Sequence, residues 1–247
     1  MKTIVSFALL SLALTPSAFA SSAQIPLRAL VLSAIQYSSN WDYTFDSGTG
    51  GSASGQTSLV RSPSLTGSAR EFVTTFTNYG GERYWLTVGQ DTASSNFVYD
   101  AWLYIAKPSS NIANIEMDLN QVMSDGQTVI YGFQCDGYSG TWDFTENAGA
   151  PQNYLDVWVH STAKCNPRQW STNAWHHIQI EYARDNSGNV TYKAVWFDSV
   201  MQSINATVPS SFALGWGSVL LTNFQVDGLG ASGSATVLLD KVTIYRW

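Results

Sequence analysis

The chain has 247 residues, a formal net charge of −6 and a pI near 4.9, with Lys and Arg together numbering only twelve. Such a balance repels a phosphate backbone and excludes nucleic acid as a partner. Only 12% of residues are charged, whereas ten Trp, twelve Tyr and eleven Phe are present. These suit half-buried pleated surfaces and leave some rings free to stack on a ligand.

Residues 1–20 read as an export signal. Met1-Lys2 is a short basic start, Ile4 to Leu14 is apolar, and Ala18-Phe19-Ala20 is a small-x-small cleavage site. The mature protein is therefore expected to be secreted or periplasmic. No later run approaches the roughly 20 apolar residues of a spanning helix, so no membrane partner is expected.

Residues 21–55 form an N-terminal segment. Its apolar stretch, Ile25 to Ile35, fits a short helix or a first strand, and Trp41 to Phe45 leads into a Gly/Ser tract, Gly48 to Gly55, read as a flexible surface loop. Residues 56–247 are expected to form one β-sandwich domain. From Glu71 onward the apolar period is two. Strands are predicted at Glu71–Thr77, Tyr84–Val88, Asn96–Ala106, Ala113–Gln121, Gln127–Cys135, Tyr154–His160, Trp175–Ala183, Val190–Asp198, Ser218–Val226 and Ala235–Trp247. Ser124-Asp125-Gly126 and Asp185 to Asn189 supply hairpin turns. No repeat of constant period appears, which argues against a solenoid or propeller.

Alternation sorts these runs into faces. Phe97, Tyr99, Ala101, Leu103 and Ile105 read as core, leaving Asp100, Trp102 and Tyr104 outward. Ile115, Met117 and Leu119 likewise point inward, opposite Glu116, Asp118 and Asn120. Two carboxylates so spaced sit about 7 Å apart on one face. Trp158 alternates with Val157 and Val159, and His177 with His176 and Ile178. If the strands lie side by side, Trp102, Tyr104, Glu116, Asp118, Trp158 and His177 share one exposed face, a surface suited to stacking on sugar rings and bonding their hydroxyls.

Cys135 and Cys165 are the only cysteines, without C-x-x-C spacing, and are expected to form one structural disulfide worth about 3 kcal/mol. Three histidines without a spaced cluster of partners give no metal site and no cofactor. Composition leaves room for a structural calcium on loop carbonyls and Asp, although no Asp-x-Asp loop signature supports it. Oligomeric state is not legible.

The run Ile115-Glu116-Met117-Asp118-Leu119-Asn120-Gln121 resembles the catalytic strand of the concanavalin A-like lectin and glucanase superfamily, whose enzymes carry Glu-x-Asp-x-x-Glu. The Trp175–Tyr182 run, the turn after it and the closing Leu239–Tyr245 run extend the resemblance over residues 60–247. It implies an all-β, two-sheet antiparallel jelly roll. It also implies that Glu116 occupies the nucleophile position and Asp118 that of its helper, while Gln121 stands where the acid/base belongs. Glutamine cannot supply that proton. Either Glu181, Asp156 or Asp136 acts as the acid, or the site binds without cleaving.

Binding is the leading expectation. Glu116, Asp118, Asn120 and Gln121 would bond hydroxyls, with Trp102, Tyr104, Trp158 and His177 completing a polysaccharide groove. Cleavage by a hydrolase or lyase on the same groove is the alternative. A third reading is an adhesion or surface-structural module, with these side chains scattered.

Overall fold

The computed structural model describes residues 21–46 and 50–247; the expected export signal lies outside the described residues. The strands are, in chain order, β1 (Leu30–Leu32), β2 (Asp42–Phe45), β3 (Ser52–Val60), β4 (Ala69–Thr77), β5 (Gly81–Gly89) and β6 (Asn96–Ile105). There follow β7 (Ile112–Val122), β8 (Thr128–Tyr131), β9 (Phe133–Asp136), β10 (Thr141–Asn147), β11 (Asp156–Lys164) and β12 (Trp175–Arg184). The last five are β13 (Asn189–Phe197), β14 (Val200–Pro209), β15 (Ser211–Phe212), β16 (Val219–Gly228) and β17 (Gly233–Arg246).

They form two antiparallel sheets packed as a jelly-roll sandwich. Sheet I runs β14-β13-β12-β6-β17-β4-β3, with β1 on β17, and sheet II runs β11-β10-β9-β7-β16-β5-β2, with β8 joining β7 to β15. The N-terminal segment belongs to the fold, since β1, β2 and β3 pair with β17, β5 and β4. The expected Gly/Ser loop is corrected in part: Ser52 to Gly55 are strand, held by the ladder to Thr74–Thr77. Small residues here pair because tertiary hydrogen bonding outweighs weak strand propensity.

The two inner faces supply the core that alternation predicts. Phe97, Tyr99, Ala101 and Leu103 of β6 and Ile115, Met117 and Leu119 of β7 have no exposed surface. Phe72 of β4 spans the layers, its ring 5.2 Å from Trp41, 4.7 Å from Tyr84 and 4.8 Å from Phe224. Truncating such a ring costs about 3–5 kcal/mol. On β17, inward residues switch from Ala235, Val237 and Leu239 to Val242 and Ile244. A register shift between Asp240 and Thr243, with Lys241 at φ 51°, inserts one residue and keeps both halves facing the core. Cys135, on β9, and Cys165, just beyond β11, form the expected disulfide.

Candidate functional site

The outer face of sheet II carries a cleft of about 600 Å³. Register arranges the outer face in transverse rows of side chains, of which those from Arg83 to Gln134 and from Asn223 to Trp158 line the cleft. One row reads Thr44, Arg83, Gln225, Glu116, Gln134, Asp143 and His160; the next reads Asp42, Trp85, Asn223 and Asp118 on one side and Thr145 with Trp158 on the other. At about 4.8 Å per strand, the floor extends on the order of 20 Å across the sheet. Gly132 interrupts the second row between β8 and β9. A Cβ there would lie 2.5 Å from the Thr145 side chain, so glycine lets the strands close up. The neighbouring Phe133 amide donates to Asp118 Oδ1 at 3.0 Å.

Glu116, Asp118 and Asn120 line the cleft together, as period-two alternation requires. Asp46, Asp156 and Asp227 bring the lining carboxyl groups to five, and Arg83 is the cation among the lining residues. Burial, then repulsion from Asp118, holds the Glu116 carboxyl well above its usual value, and Glu116 donates to Asp118. Asp118 is also raised, by burial, although the Glu116 hydrogen bond and the Phe133 amide oppose the shift. Burial followed by repulsion from Asp118 and Asp46 pushes Asp156 up to about 6. Asp227, raised by burial against the Gln225 hydrogen bond, reaches about 7.

Aromatic side chains flank this floor. Trp158 stands at the β11 edge, and the exposed rings of Tyr154 and Trp216 rise from the connecting segments. Tyr154 is braced edge-on against Phe212 at 5.6 Å. Trp216 also borders a second hollow of about 450 Å³ with Trp85, Arg83 and Asn223, so the two depressions share a wall.

The shared face expected from the sequence does not form. Trp102, Tyr104 and His177 lie on β6 and β12 of sheet I, whereas Glu116, Asp118, Asn120 and Trp158 lie on β7 and β11 of sheet II. Consecutive strands β6 and β7 enter opposite layers, so their outward faces look away from each other. Trp102 stacks on His177 with centroids 4.7 Å apart and planes 10° apart, beneath the Lys241 ammonium at 5.5 Å. His177 bonds Asp100 at 2.9 Å, and Tyr104 packs on Trp175 at 5.2 Å.

Gln121 is likewise corrected. Without a bulge after Asp118, β7 turns Gln121 to the inner side, where it has no exposed surface. Its Nε2 donates to the carbonyls of Asp91 (2.9 Å) and Ser94 (3.0 Å). Its Oε1 accepts from the Tyr131 hydroxyl (2.9 Å) and Arg184 Nε (2.7 Å). All its hydrogen-bonding capacity is spent inside the fold. Among the acids considered in its place, Glu181 lies on sheet I paired with Lys193 at 2.9 Å, and Asp136 does not line the cleft. Asp156 does.

Sequence reasoning missed Asn223, Gln225 and Asp227, although the alternation of Ser218–Val226 carried the signal for the first two and Asp227 continues it one residue past the predicted end. Trp216, in a glycine-flanked connection, left no periodic trace.

No family model matches the sequence, and no curated protein does. Solved structures with similar folds exist. They include a carbohydrate-binding module protein of the β-sandwich superfamily (10% identity, 82% of this chain, TM-score 0.43), of which the chain spans 55%. "Cellulose induced protein, Cip1" aligns at 13% identity over 85% of this chain and 94% of its own, TM-score 0.48. Arcelin-5, a lectin-like defense protein from Phaseolus vulgaris, aligns at 11% identity over 89% of this chain and 98% of its own, TM-score 0.47.

Proposed function

We propose that the cleft on sheet II holds a polysaccharide chain, and that this is an exported, lectin-like glycan-binding protein. The observation carrying this reading is the pairing of a hydrogen-bonding floor with aromatic flanks. Asn120, Gln134, Asn223 and Gln225 offer amide donors and acceptors beside the carboxyl groups, while Tyr154, Trp158 and Trp216 offer ring faces. Five carboxyl groups against one Arg disfavour an anionic polymer, so the ligand is a neutral glycan. A disulfide suits an oxidising compartment, and no helix among the described residues is long and apolar enough to cross a membrane.

Cleavage is the second reading, supported by Asp156, a carboxyl raised to about 6 in the same cleft. It would serve as the acid that Gln121 cannot be. Against it, burial and repulsion from Asp118 raise the Glu116 carboxyl well above its usual value, which disfavours the ionised form that attacks an anomeric carbon. Affinity electrophoresis in gels containing neutral or acidic polysaccharides, with reducing ends assayed in the same samples, separates the readings. Retardation by a neutral glycan without new ends is the expected result. New ends would establish the enzyme, and unretarded migration without new ends on the whole panel would remove both.

A further inference from the structure

We propose that Asp136, Asp143 and His160 form a binding site for a divalent transition-metal ion, Zn²⁺ by the chemistry of the donors. The sequence suggests no metal cluster, because these residues are scattered and Asp143 lies in a strand it does not announce. The fold places them on β9, β10 and β11, adjacent in sheet II. Asp143 stands opposite His160 across one ladder, and Asp136 opposite Thr141 across the other. One ligand atom from each lies within 4.8 Å of the other two. Ligand atoms of a tetrahedral zinc at about 2.0–2.2 Å lie about 3.4 Å apart, so closure draws the widest-spaced pair together by up to about 1.4 Å, within reach of side-chain rotation.

The surroundings call for positive charge. Asp136 is 5% exposed and Asp143 not at all. Among the described residues, the Lys and Arg ion pairs go elsewhere, Lys193 to Glu181 and Arg246 to Asp91. The ion-pair partner of Asp143 is His160, whose Nδ1 lies 2.7 Å from Oδ2 and whose side chain is 63% exposed. Two neighbouring buried carboxyl groups with one imidazole are poorly compensated, and a metal ion in place of the proton between Asp143 and His160 satisfies both.

The outer contacts hold the ligands in place. The amides of Tyr138 (2.7 Å) and Ser139 (3.0 Å) donate to the two Asp136 oxygens. The hydroxyls of Thr141 (2.6 Å) and Ser139 (3.3 and 3.2 Å) donate to Asp143. Such contacts orient ligands and raise affinity. An imidazole donor favours zinc over calcium, which takes six to eight oxygens. Three protein ligands leave a fourth position open, on the same side of sheet II as the cleft.

The test is calorimetric titration of the chelator-treated protein with ZnCl₂ at pH 7, comparing wild type with His160→Gln and His176→Gln. His160 is mostly exposed, so its replacement leaves the fold intact. One zinc per chain is expected, with affinity at least about tenfold weaker in His160→Gln and unchanged in His176→Gln, whose imidazole sits on sheet I beside Asp198. Absence of stoichiometric zinc uptake, or equal affinity in wild type and His160→Gln, would overturn the proposal. So would an equal loss in His176→Gln.

Discussion

The Glu116 carboxyl donates a hydrogen bond to the carboxylate of Asp118, two residues along β7 in the floor of the cleft. Burial raises both carboxyls above their usual values, and repulsion from Asp118 adds to the shift of Glu116. Asp156 and Asp227, raised to about 6 and about 7, extend this condition across the site. A carboxyl raised on folding binds more protons in the native than in the unfolded state. Stability contributed by these groups is therefore fully present below the unfolded carboxylate range, near pH 4, and is lost as pH rises through their folded values. Thermal unfolding followed by calorimetry should show the midpoint dropping by several degrees between pH 5 and 8, since 1 kcal/mol corresponds to about 2–4 °C in a domain of this size. Glu116→Gln should flatten the decline. A midpoint that rises over this range would contradict the assignment.

Asp240 behaves oppositely. Burial opposes its ionisation, yet hydrogen bonds from Thr66, Ser64 and Leu65 outweigh it and hold the carboxyl below its usual value. Gln36 and the Lys241 amide donate as well, so this one side chain ties β17 to two distant segments. Its contribution is present above the unfolded carboxylate range and lost as pH falls through its folded value. Asp240→Asn strands at least one buried donor and should cost about 2–3 kcal/mol in urea unfolding. A loss below a few tenths would show that the segments are held by other contacts.

Restoring the glutamate of the glucanase motif separates sequence resemblance from structural position. Gln121→Glu places a carboxylate against the carbonyl oxygens of Asp91 and Ser94, where Nε2 now donates. The expected outcome is a loss of about 1–3 kcal/mol in stability and no polysaccharide cleavage. New reducing ends from this variant would mean that residue 121 reaches the cleft.

The contrast shows what the sequence can reveal. Alternation assigned Glu116, Asp118 and Asn120 to one face and Ile115, Met117 and Leu119 to the other, because the period-two rule is local. The same rule, carried two residues past Leu119, puts Gln121 on the inward face, but the motif drew it into the site. Layer membership is not local. Nothing within 96–122 indicates that β6 and β7 pass into different sheets, so Trp102 and His177 were grouped with carboxyl groups they never approach. Strands β3, β10 and β14 were missed for related reasons: Ser52–Val60 is small and polar, and Thr141–Asn147 is short and polar on its outward side. Their pairing is set by neighbours distant in sequence.

The disulfide closes a loop of thirty residues between β9 and the end of β11. Replacing both Cys135 and Cys165 with Ala should lower stability by about 3 kcal/mol in guanidinium titration. A negligible change would place the constraint in the ladders alone.

The central claim, that sheet II rather than sheet I meets the glycan, rests most directly on one paired measurement. Affinity electrophoresis in a neutral glycan would compare Trp158→Ala and Trp216→Ala with Trp102→Ala, each verified to melt near the wild-type temperature. Removing a stacking ring at a binding surface costs upwards of 1 kcal/mol, so the two sheet II variants should bind about five- to thirtyfold more weakly while Trp102→Ala binds as wild type. Loss confined to Trp102→Ala would move the site to the opposite sheet and contradict the account.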